Sequence, residues 1–243
     1  MLQRSKYSRS VVTDLKMFSG RPPKWSLSRP KSVFQHLYDL VGAPLRMVAL
    51  PDHVNERLHL TSLRAERLSA VLPQMKGRVL DIGAGDNMLI NLYREASVDT
   101  SNEAGARDSK GLDVVDWGGD CIIVENCRHL PFEDRSFDTV CFVACLNHIP
   151  ERKQALAESW RILKPGGRLI VTMIGRLIGE VGHAIWWYSE DKHRDVAEGE
   201  VMGMDPTAVS NLIREAGFPS VHRSSFVYGL NHLFVANKPI SVA

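Results

Sequence analysis

A glycine-rich turn after a short apolar strand carries the residues best suited to binding a ligand. Residues 79–87 read VLDIGAGDN, which places the acidic Asp81 just ahead of Gly83, Ala84 and Gly85. Glycine lets a ligand approach the backbone closely because it has no side chain. Ligands of open α/β sheets bind at such carboxyl ends of strands. A dinucleotide site needs a third glycine, which is missing here, so the loop suits a nucleoside with a short amino-acid tail, with a structural turn as the alternative.

Two further groups of side chains can take part in chemistry. His148, in the segment CLNHIP, has an imidazole whose ordinary pKa of about 6.5 suits it to take a proton from a hydroxyl group. A packing or helix-capping role ahead of Pro150 is the alternative. Trp186 and Trp187 form the densest aromatic cluster with Tyr188, and their faces can cover a ring, a sugar or an alkyl chain. A hydrophobic patch that packs this segment onto the sheet is the alternative there.

The four cysteines indicate buried thiols rather than a metal site or a disulfide. They lie close together in the chain and form no C-x-x-C pair: Cys121, Cys127, Cys141 and Cys145. Thiols without a pairing pattern are typical of a reducing compartment. The chain also has no apolar run of about 20 residues and no signal-peptide core. We therefore expect a cytoplasmic protein with no transmembrane segment and no bound metal.

The charge of the chain is nearly balanced but unevenly distributed. The 243 residues include 30 Lys and Arg against 28 Asp and Glu, a net charge of +2 that argues against a dedicated nucleic-acid-binding protein. Residues 1–50 hold nine Lys and Arg but only two acidic residues, Asp14 and Asp39. Such an arm can contact an anionic substrate, an acidic lipid surface or nucleic acid, and a solvated tail is the default. We expect residues 1–53 to form a basic arm and a helix, and peripheral membrane contact stays open.

The elements that must position these residues alternate between strands and helices. Apolar strands are predicted at residues 78–82, 111–115, 121–124, 137–144 and 168–173. Helices are predicted at residues 33–50, 54–72, 87–95, 151–163 and 206–216, and two closing strands at 219–228 and 231–237. Such alternation with wholly apolar strands predicts a parallel sheet that is covered by helices on both faces.

Three ordered segments resemble the class I S-adenosylmethionine-dependent methyltransferases, and most closely their small-molecule branch, type 11. The segments are VLDIGAGDN at 79–87, LPFEDRSFD at 130–138 and ILKPGGRLI at 162–170. The resemblance covers about residues 54–174, and a weaker resemblance extends over residues 205–237. It implies a Rossmann-like, seven-stranded, mostly parallel sheet and S-adenosyl-L-methionine as the cofactor. It also implies one methyltransferase domain over residues 54–243, in which the insertion at 175–204 is a lid over the acceptor.

The resemblance assigns roles to single residues. Asp81 matches the acidic residue that braces the glycine loop, and Gly83, Ala84 and Gly85 match the loop under the methionine part of the cofactor. Asn87 departs from the family, which often has a glycine at that position. The remaining residues matched to the cofactor site follow the second, third and fourth strands: Asp113 and Val114, Asn126 and Cys127, and Val143 and Ala144.

Two residues compete to bind the ribose of the cofactor, a role in which a carboxylate accepts hydrogen bonds from two hydroxyl groups. Asp99 follows Asp81 at close to the usual interval of about 20 residues. Asp113 lies further along the chain, but it belongs to GLDVV, a segment with clear strand character. We favour Asp113, which makes residues 96–110 a surface insertion.

The sequence therefore predicts an enzyme that moves a methyl group from S-adenosylmethionine to a small-molecule or glycan-like acceptor, with oxygen as the favoured atom. His148 matches a histidine common near the reacting centre of the family and is the candidate base. Trp186 and Trp187 are the candidate acceptor-binding residues. A non-catalytic module that binds the cofactor is the first alternative. A nicotinamide-dependent oxidoreductase is disfavoured by the missing third glycine.

Overall fold

The computed structural model describes residues 20–176, 179–180 and 198–240. Within them, seven strands form one sheet in the order β3-β2-β1-β4-β5-β7-β6. The strands are β1 (Val79–Ile82), β2 (Lys110–Asp113), β3 (Cys121–Ile123), β4 (Phe137–Val143), β5 (Leu163–Ile174), β6 (Val221–Phe226) and β7 (Asn231–Asn237). Strands β1 to β5 run parallel, whereas β7 is antiparallel to both of its neighbours. The predicted Rossmann-like, mostly parallel, seven-stranded sheet is confirmed.

The helices of the described residues lie before, between and after the strands. They are α1 (Lys24–Leu27), α2 (Val33–Val41), α3 (Asp52–Arg57), α4 (Leu63–Val71), α5 (Met88–Ala96), α6 (Glu103–Arg107), α7 (Arg152–Ile162) and α8 (Pro206–Glu215). Asp205 caps α8 through hydrogen bonds from the backbone N–H groups of Thr207 and Ala208. Pro206 fits the first turn because it has no N–H group to satisfy.

Two of the predicted helices are each divided into shorter pieces. The helix expected at 33–50 ends at Val41, since Gly42 and Pro44 follow, and a short π-helix occupies Leu45–Ala49. The helix expected at 54–72 is split into α3 and α4, because the side chain of Ser62 accepts a hydrogen bond from the backbone N–H of Ala65 and starts a new helix. Residues 96–110 are not a plain insertion, as they contain α6.

The hydrophobic core lies on both faces of the sheet, as the sequence predicted. Leu80, Ile82 and Phe142 belong to one buried cluster, while Val79 and Cys141 belong to another on the opposite face. Neighbouring residues of a strand point to opposite faces, so continuous apolar strands need cover on both sides.

The chain order reverses at β1. After β1 the chain builds β2 and β3 on one side, and it then returns to place β4 on the other side. In a parallel sheet this reversal leaves a crevice at the carboxyl ends of the two strands, here between β1 and β4. The glycine loop and the segment after β4 both begin at this crevice.

Candidate active site

The glycine loop is held by backbone and side-chain acceptors of β2. The backbone N–H groups of Gly83 and Ala84 both donate to the carbonyl oxygen of Leu112, at 2.8 and 3.1 Å. The N–H of Gly85 donates to Oδ2 of Asp113 at 2.8 Å. The loop is therefore tied to the end of the neighbouring strand. Leu112 and Asp113 accept these bonds, and the bracing role of Asp81 stays a prediction.

At Gly83 a side chain would collide with a neighbouring residue, whereas at Gly85 the space above the backbone is open. Gly83 has a φ of +74°, and a Cβ atom there would lie 2.6 Å from the Cβ of Cys145. Gly85 has a φ of +56°, and no described atom lies within 4 Å of the position of a Cβ atom. The backbone is left-handed at both residues, a region that favours glycine. The open space over Gly85 is a cradle that a side chain would fill.

Asn87 keeps the geometry of the glycine that it replaces. Its φ of +63° lies in the left-handed region, which asparagine adopts more readily than most residues. Its side-chain Nδ2 donates to the carbonyl oxygen of Asp120 at 2.8 Å, and the residue is fully buried. Asn87 therefore helps to fix the loop through its side chain.

Two buried carboxylates define the floor of the crevice. Asp81 is 2% exposed and Asp113 is 8% exposed. Burial, together with the negative charges of Asp113 and Asp86, raises the pKa of Asp81 well above its ordinary value. Burial also raises the pKa of Asp113, although hydrogen bonds from the backbone of Gly85 and Val115 oppose the shift. Strongly perturbed carboxyl groups in a cleft are typical of functional sites.

The structure separates the two candidates for the ribose. Asp113 is the last residue of β2, so its carboxylate lies at the crevice. Asp99 lies in the turn between α5 and α6 and is exposed, with its backbone N–H bonded to Glu103. The placement of the second strand at GLD is thereby confirmed. Asp113 accepts hydrogen bonds from the backbone N–H groups of Gly85 and Val115, with further donors in Val114 and Trp117.

The other cofactor candidates lie along the same edge in different environments. Val114, after β2, is 53% exposed, whereas Cys127 is buried in the core and its thiol has a pKa raised by burial to about 11. Oδ1 of Asn126 accepts a hydrogen bond from the backbone of Arg128, 2.9 Å away. Val143 ends β4, and Ala144 follows it with a left-handed φ of +55°. A non-glycine residue in that region is a strained position of the kind found at functional sites.

His148 takes part in a chain of polar side chains. Its Nδ1 lies 3.3 Å from Oε2 of Glu200, and its Nε2 lies 3.0 Å from Nδ2 of Asn147. The Asn147 amide also donates to the carbonyl oxygen of Val201 at 2.9 Å. This arrangement assigns the proton to Nδ1, where it faces the carboxylate, and leaves Nε2 as the acceptor. A buried carboxylate that orients an imidazole is the usual partner of a histidine base.

Sequence reasoning missed Glu200 and Asn147. Glu200 is 52 positions from His148 in the chain and belongs to a run of charged residues, so its sequence gave no signal of the contact. Residues 199–201 are also tied to the segment after β4 by the backbone N–H of Val201, which donates to Asn147, and by Arg152, which donates to Gly199. The far end of the predicted lid is thus fixed beside His148.

A cavity of 470 Å³ opens beyond the carboxyl end of β5. Its lining residues are Gly175, Arg176, Glu180, Asp205, Pro206, Gly229, Leu230 and His232. Burial, reinforced by the positive charge of Arg223, lowers the pKa of His232, so the imidazole there favours its neutral form. The volume is within the range of small-molecule sites. The expected lid residues Trp186 and Trp187 lie outside the described residues.

The four cysteines are free thiols. In the part of the chain that the structure describes, no three His, Cys, Asp or Glu side chains are grouped for a metal ion. No helix there is long and apolar enough to cross a membrane.

Comparisons with known proteins agree with this geometry. A family model described as a methyltransferase domain, type 11, matches residues 80–171. A ubiquinone/menaquinone biosynthesis C-methyltransferase, UbiE, of Bordetella parapertussis is 29% identical over 184 residues, which cover 67% of this chain and 70% of the relative.

Two solved structures are similar in fold. An S-adenosylmethionine-dependent methyltransferase of Thermotoga maritima, described as a possible histamine N-methyltransferase, has a TM-score of 0.53 at 19% identity, covering 84% of this chain and 97% of its own. A phosphoethanolamine N-methyltransferase 2 of Haemonchus contortus, solved with S-adenosyl-L-methionine, has a TM-score of 0.51 at 18% identity, covering 72% and 52%.

The residues present fit that cofactor. Oδ1 of Asp81 is buried and accepts no hydrogen bond within the described residues, so a hydrogen-bond donor is required above it. The open space over Gly85 provides the room. With the family match over residues 80–171 and the fold, these features indicate a class I S-adenosylmethionine-dependent methyltransferase that resembles the type 11 branch.

Proposed function

We propose that the chain methylates an oxygen atom of a small-molecule or glycan-like acceptor in the cytoplasm. The observation that carries the proposal is the pairing of His148 with Glu200 at the crevice, because an oriented imidazole can remove a hydroxyl proton. S-adenosylmethionine, when bound, supplies an electrophilic methyl group on its sulfonium. The free thiols are those of a protein in a reducing compartment and support the cytoplasmic location.

The chain's own residues divide the work of holding the cofactor. Asp113 accepts hydrogen bonds from the ribose hydroxyls, while Gly83, Ala84 and Gly85 lie under the methionine part. Asp81 accepts hydrogen bonds from the same part through its unpartnered Oδ1. Val114, Asn126 and Cys127 surround the adenine, and Val143 and Ala144 follow β4 at the methionine end. Asn87 acts from below by fixing the loop.

His148 acts on the acceptor. Nε2 already accepts a hydrogen bond from the Asn147 amide, so the acceptor's hydroxyl group takes the place of that donor before it loses its proton. Glu200 stabilises the imidazolium that results. Trp186 and Trp187 cover the acceptor.

Methylation at carbon is the second candidate, because the UbiE relative is described as a C-methyltransferase. Both reactions begin with the same proton removal when the carbon belongs to a ring that carries a hydroxyl group. Methyl-¹³C-labelled cofactor separates them, since an O-methyl and a C-methyl carbon resonate in different regions of the NMR spectrum. A metabolite extract supplies the acceptor for this experiment.

The cofactor site is tested by Gly85→Val and a matched control. Gly229→Val introduces the same side chain at another left-handed glycine with open space around it, in the turn between β6 and β7. We expect Gly85→Val to weaken binding of S-adenosylhomocysteine by about 100-fold or more, whereas Gly229→Val should leave the affinity unchanged. Calorimetry on the folded variants measures both. Equal affinities would show that the cofactor does not lie over Gly85.

The acceptor side is tested by two variants that should spare cofactor binding. Replacing Trp186 and Trp187 by alanine should slow methyl transfer by about 100-fold, because an acceptor without its lid is misplaced. His148→Gln should remove the fall in rate at low pH that protonation of an imidazole base produces. Loss of cofactor affinity in the tryptophan variant would place those residues in the core. If the pH–rate profile of His148→Gln matches that of the unaltered protein, His148 is a packing residue and not the base.

A further inference from the structure

Helix α2 presents its apolar side to solvent. Five large apolar side chains of the helix are between 53% and 85% exposed: Val33, Phe34, Leu37, Leu40 and Val41. We call these five residues the exposed face of α2. Isolated apolar residues on a surface are ordinary, but a contiguous set on one helix marks a contact site. The orientation is the reverse of that of a surface helix in a globular protein, whose apolar side faces the core.

The opposite side of α2 is held firmly to the domain. Asp39 is fully buried and forms a salt bridge of 2.8 Å with Lys31. It also accepts hydrogen bonds from the backbone and side chain of Thr61, which precedes α4. Gln35, one turn earlier, donates to Asp39 and to the carbonyl oxygen of His59. Because this polar side is fixed by several bonds, α2 cannot rotate to bury its apolar side.

The exposed face of α2 continues onto neighbouring segments. Leu45 and Leu58 are also exposed, and Tyr38 reaches the carbonyl oxygen of Leu58 at 2.8 Å. Arg46, next to Leu45, lies 3.2 Å from the hydroxyl group of Tyr228. Tyr228 immediately precedes Gly229, which lines the cavity beyond β5. Arg46 therefore links the segment that follows α2 to the turn that contains Gly229.

The charge of the preceding chain is complementary to an anionic surface. Residues 1–19 contain four basic residues, Arg4, Lys6, Arg9 and Lys16, against the single acidic residue Asp14. An apolar helix face combined with a basic segment is the combination by which interfacial helices bind anionic bilayers. The two contributions act together, since basic residues near anionic lipid add about 1 kcal/mol each.

We propose that the exposed face of α2 docks on the surface of an anionic lipid bilayer, with residues 1–19 supplying electrostatic attraction. The helix lies in the interface and does not cross it, because it has nine residues. The inference stands independently of the acceptor and of the reaction proposed above.

The experiment is flotation of the whole protein with vesicles of phosphatidylcholine alone and of phosphatidylcholine mixed with phosphatidylglycerol. We expect binding to the mixed vesicles only, and weaker binding as salt is raised. Leu37→Asp should reduce the bound fraction by about tenfold, and Phe34→Asp combined with it by more. Val98→Asp is the matched control, because Val98 is as exposed as Leu37, at 57% against 58%, and lies outside the surface. It should bind like the unaltered protein.

Three results would overturn the proposal. One is the absence of binding to either vesicle. Another is equal loss in Leu37→Asp and Val98→Asp, which would reflect added charge alone. The third is a dimer, seen by light scattering without lipid, that Leu37→Asp dissociates, because the surface would then belong to a second copy of the chain. Calorimetry with S-adenosylhomocysteine confirms that each variant is folded.

Discussion

Two pairs of buried carboxylates in this protein have opposite electrostatic surroundings. Asp39 and Glu66 lie where the N-terminal helices meet α4, and Asp81 and Asp113 lie at the crevice. All four are less than a tenth exposed. Burial alone would raise the pKa of each, yet the pKa values of Asp39 and Glu66 are lowered, whereas those of Asp81 and Asp113 are raised. The partners of each pair account for the difference.

Cations surround the first pair. Lys31 lies 2.8 Å from Asp39 and 2.5 Å from Glu66, and Arg46 lies 3.0 Å from Glu66. Arg29 adds a further salt bridge to Glu66. We call Lys31, Asp39, Arg46 and Glu66 the N-terminal ion cluster. It joins residues 29–46 to the methyltransferase domain, and its charges are satisfied within the protein.

The second pair has no cationic partner among the described residues, although backbone N–H groups of Gly85 and Val115 donate to Asp113. Asp81 and Asp113 repel each other, and Asp86 adds to the repulsion. No cation forms a salt bridge with either carboxylate among residues 20–176, 179–180 and 198–240. Removing one partner of a buried ion pair destabilises a fold, whereas buried carboxylates that lack a counter-ion in a cleft are typical of binding sites. The comparison thus separates carboxylates that stabilise the fold from those that bind.

The largest effect is expected at Glu66. Glu66→Gln leaves Lys31, Arg46 and Arg29 with one buried carboxylate, and an uncompensated buried charge costs about 3–5 kcal/mol of stability. Urea unfolding measures the loss. Glu95→Gln is the control, because Glu95 pairs with Arg21 on the surface and such pairs contribute about 0–1 kcal/mol. If both variants lost a similar free energy of unfolding, burial would not strengthen the contribution of the ion cluster to stability.

A smaller effect is expected at Asp113. Asp113→Ala should weaken S-adenosylhomocysteine by about 10- to 150-fold, or 1.5–3 kcal/mol, because two hydroxyl groups lose a charged acceptor. Asp99→Ala, in an exposed turn, should leave the affinity unchanged. Calorimetry compares them, and circular dichroism verifies that the loop anchored by Asp113 remains folded. The reverse order would assign the ribose to Asp99 despite its position outside the sheet edge.

The two regions also differ in how far the sequence predicted them. The crevice was predicted well, because Asp81, the glycines and Asp113 lie at the ends of apolar strands, and strand ends meet at one edge of a parallel sheet. The N-terminal ion cluster was not predicted, since Lys31 and Glu66 are 35 positions apart and nothing local in the chain specifies their contact. The contact of Glu200 with His148 was missed for the same reason.

Local errors have a similar origin. Helices were predicted from apolar spacing, which does not show where a helix is interrupted, so the caps at Ser32 and Ser62 were overlooked. The spacing in α2 correctly indicated an amphipathic helix. It did not show which side faces the protein, because the polar side is buried through Asp39 and Gln35.

The response to acid should also distinguish the regions. Because the folded pKa values of Asp39 and Glu66 are lowered, their stabilising effect is complete above the ordinary values, 3.8 and 4.5, and is lost as the pH falls through the folded values. Each proton taken up in this window reduces the free energy of unfolding by at most about 1.4 kcal/mol per pH unit. Urea unfolding between pH 7 and pH 3 should show this loss, and Glu66→Gln should make it shallower. An unchanged slope would mean that the cluster does not govern acid stability.

The smallest effect is expected at Asp81, and it has the opposite sign. A raised folded pKa means that the stability contributed by the carboxyl group is present below pH 3.8 and is lost as the pH rises through the folded value. Asp81→Asn keeps the shape of the side chain but does not ionise, so it should be more stable than the unaltered protein at pH 7. A gain on the order of 1 kcal/mol corresponds to about 2–4 °C in Tm.

The pH dependence of that gain makes the test specific. The gain should vanish well below pH 3.8, where the aspartate is neutral in both the folded and the unfolded chain. Asp39→Asn, in the N-terminal ion cluster, should instead lower the Tm at pH 7, because it removes a partner of Lys31. Asp81→Asn should also bind S-adenosylhomocysteine less tightly, since the lost charge faces the ligand. If Asp81→Asn lowered the Tm as Asp39→Asn does, the Asp81 carboxylate would be satisfied within the fold, and the distinction between the two pairs would fail.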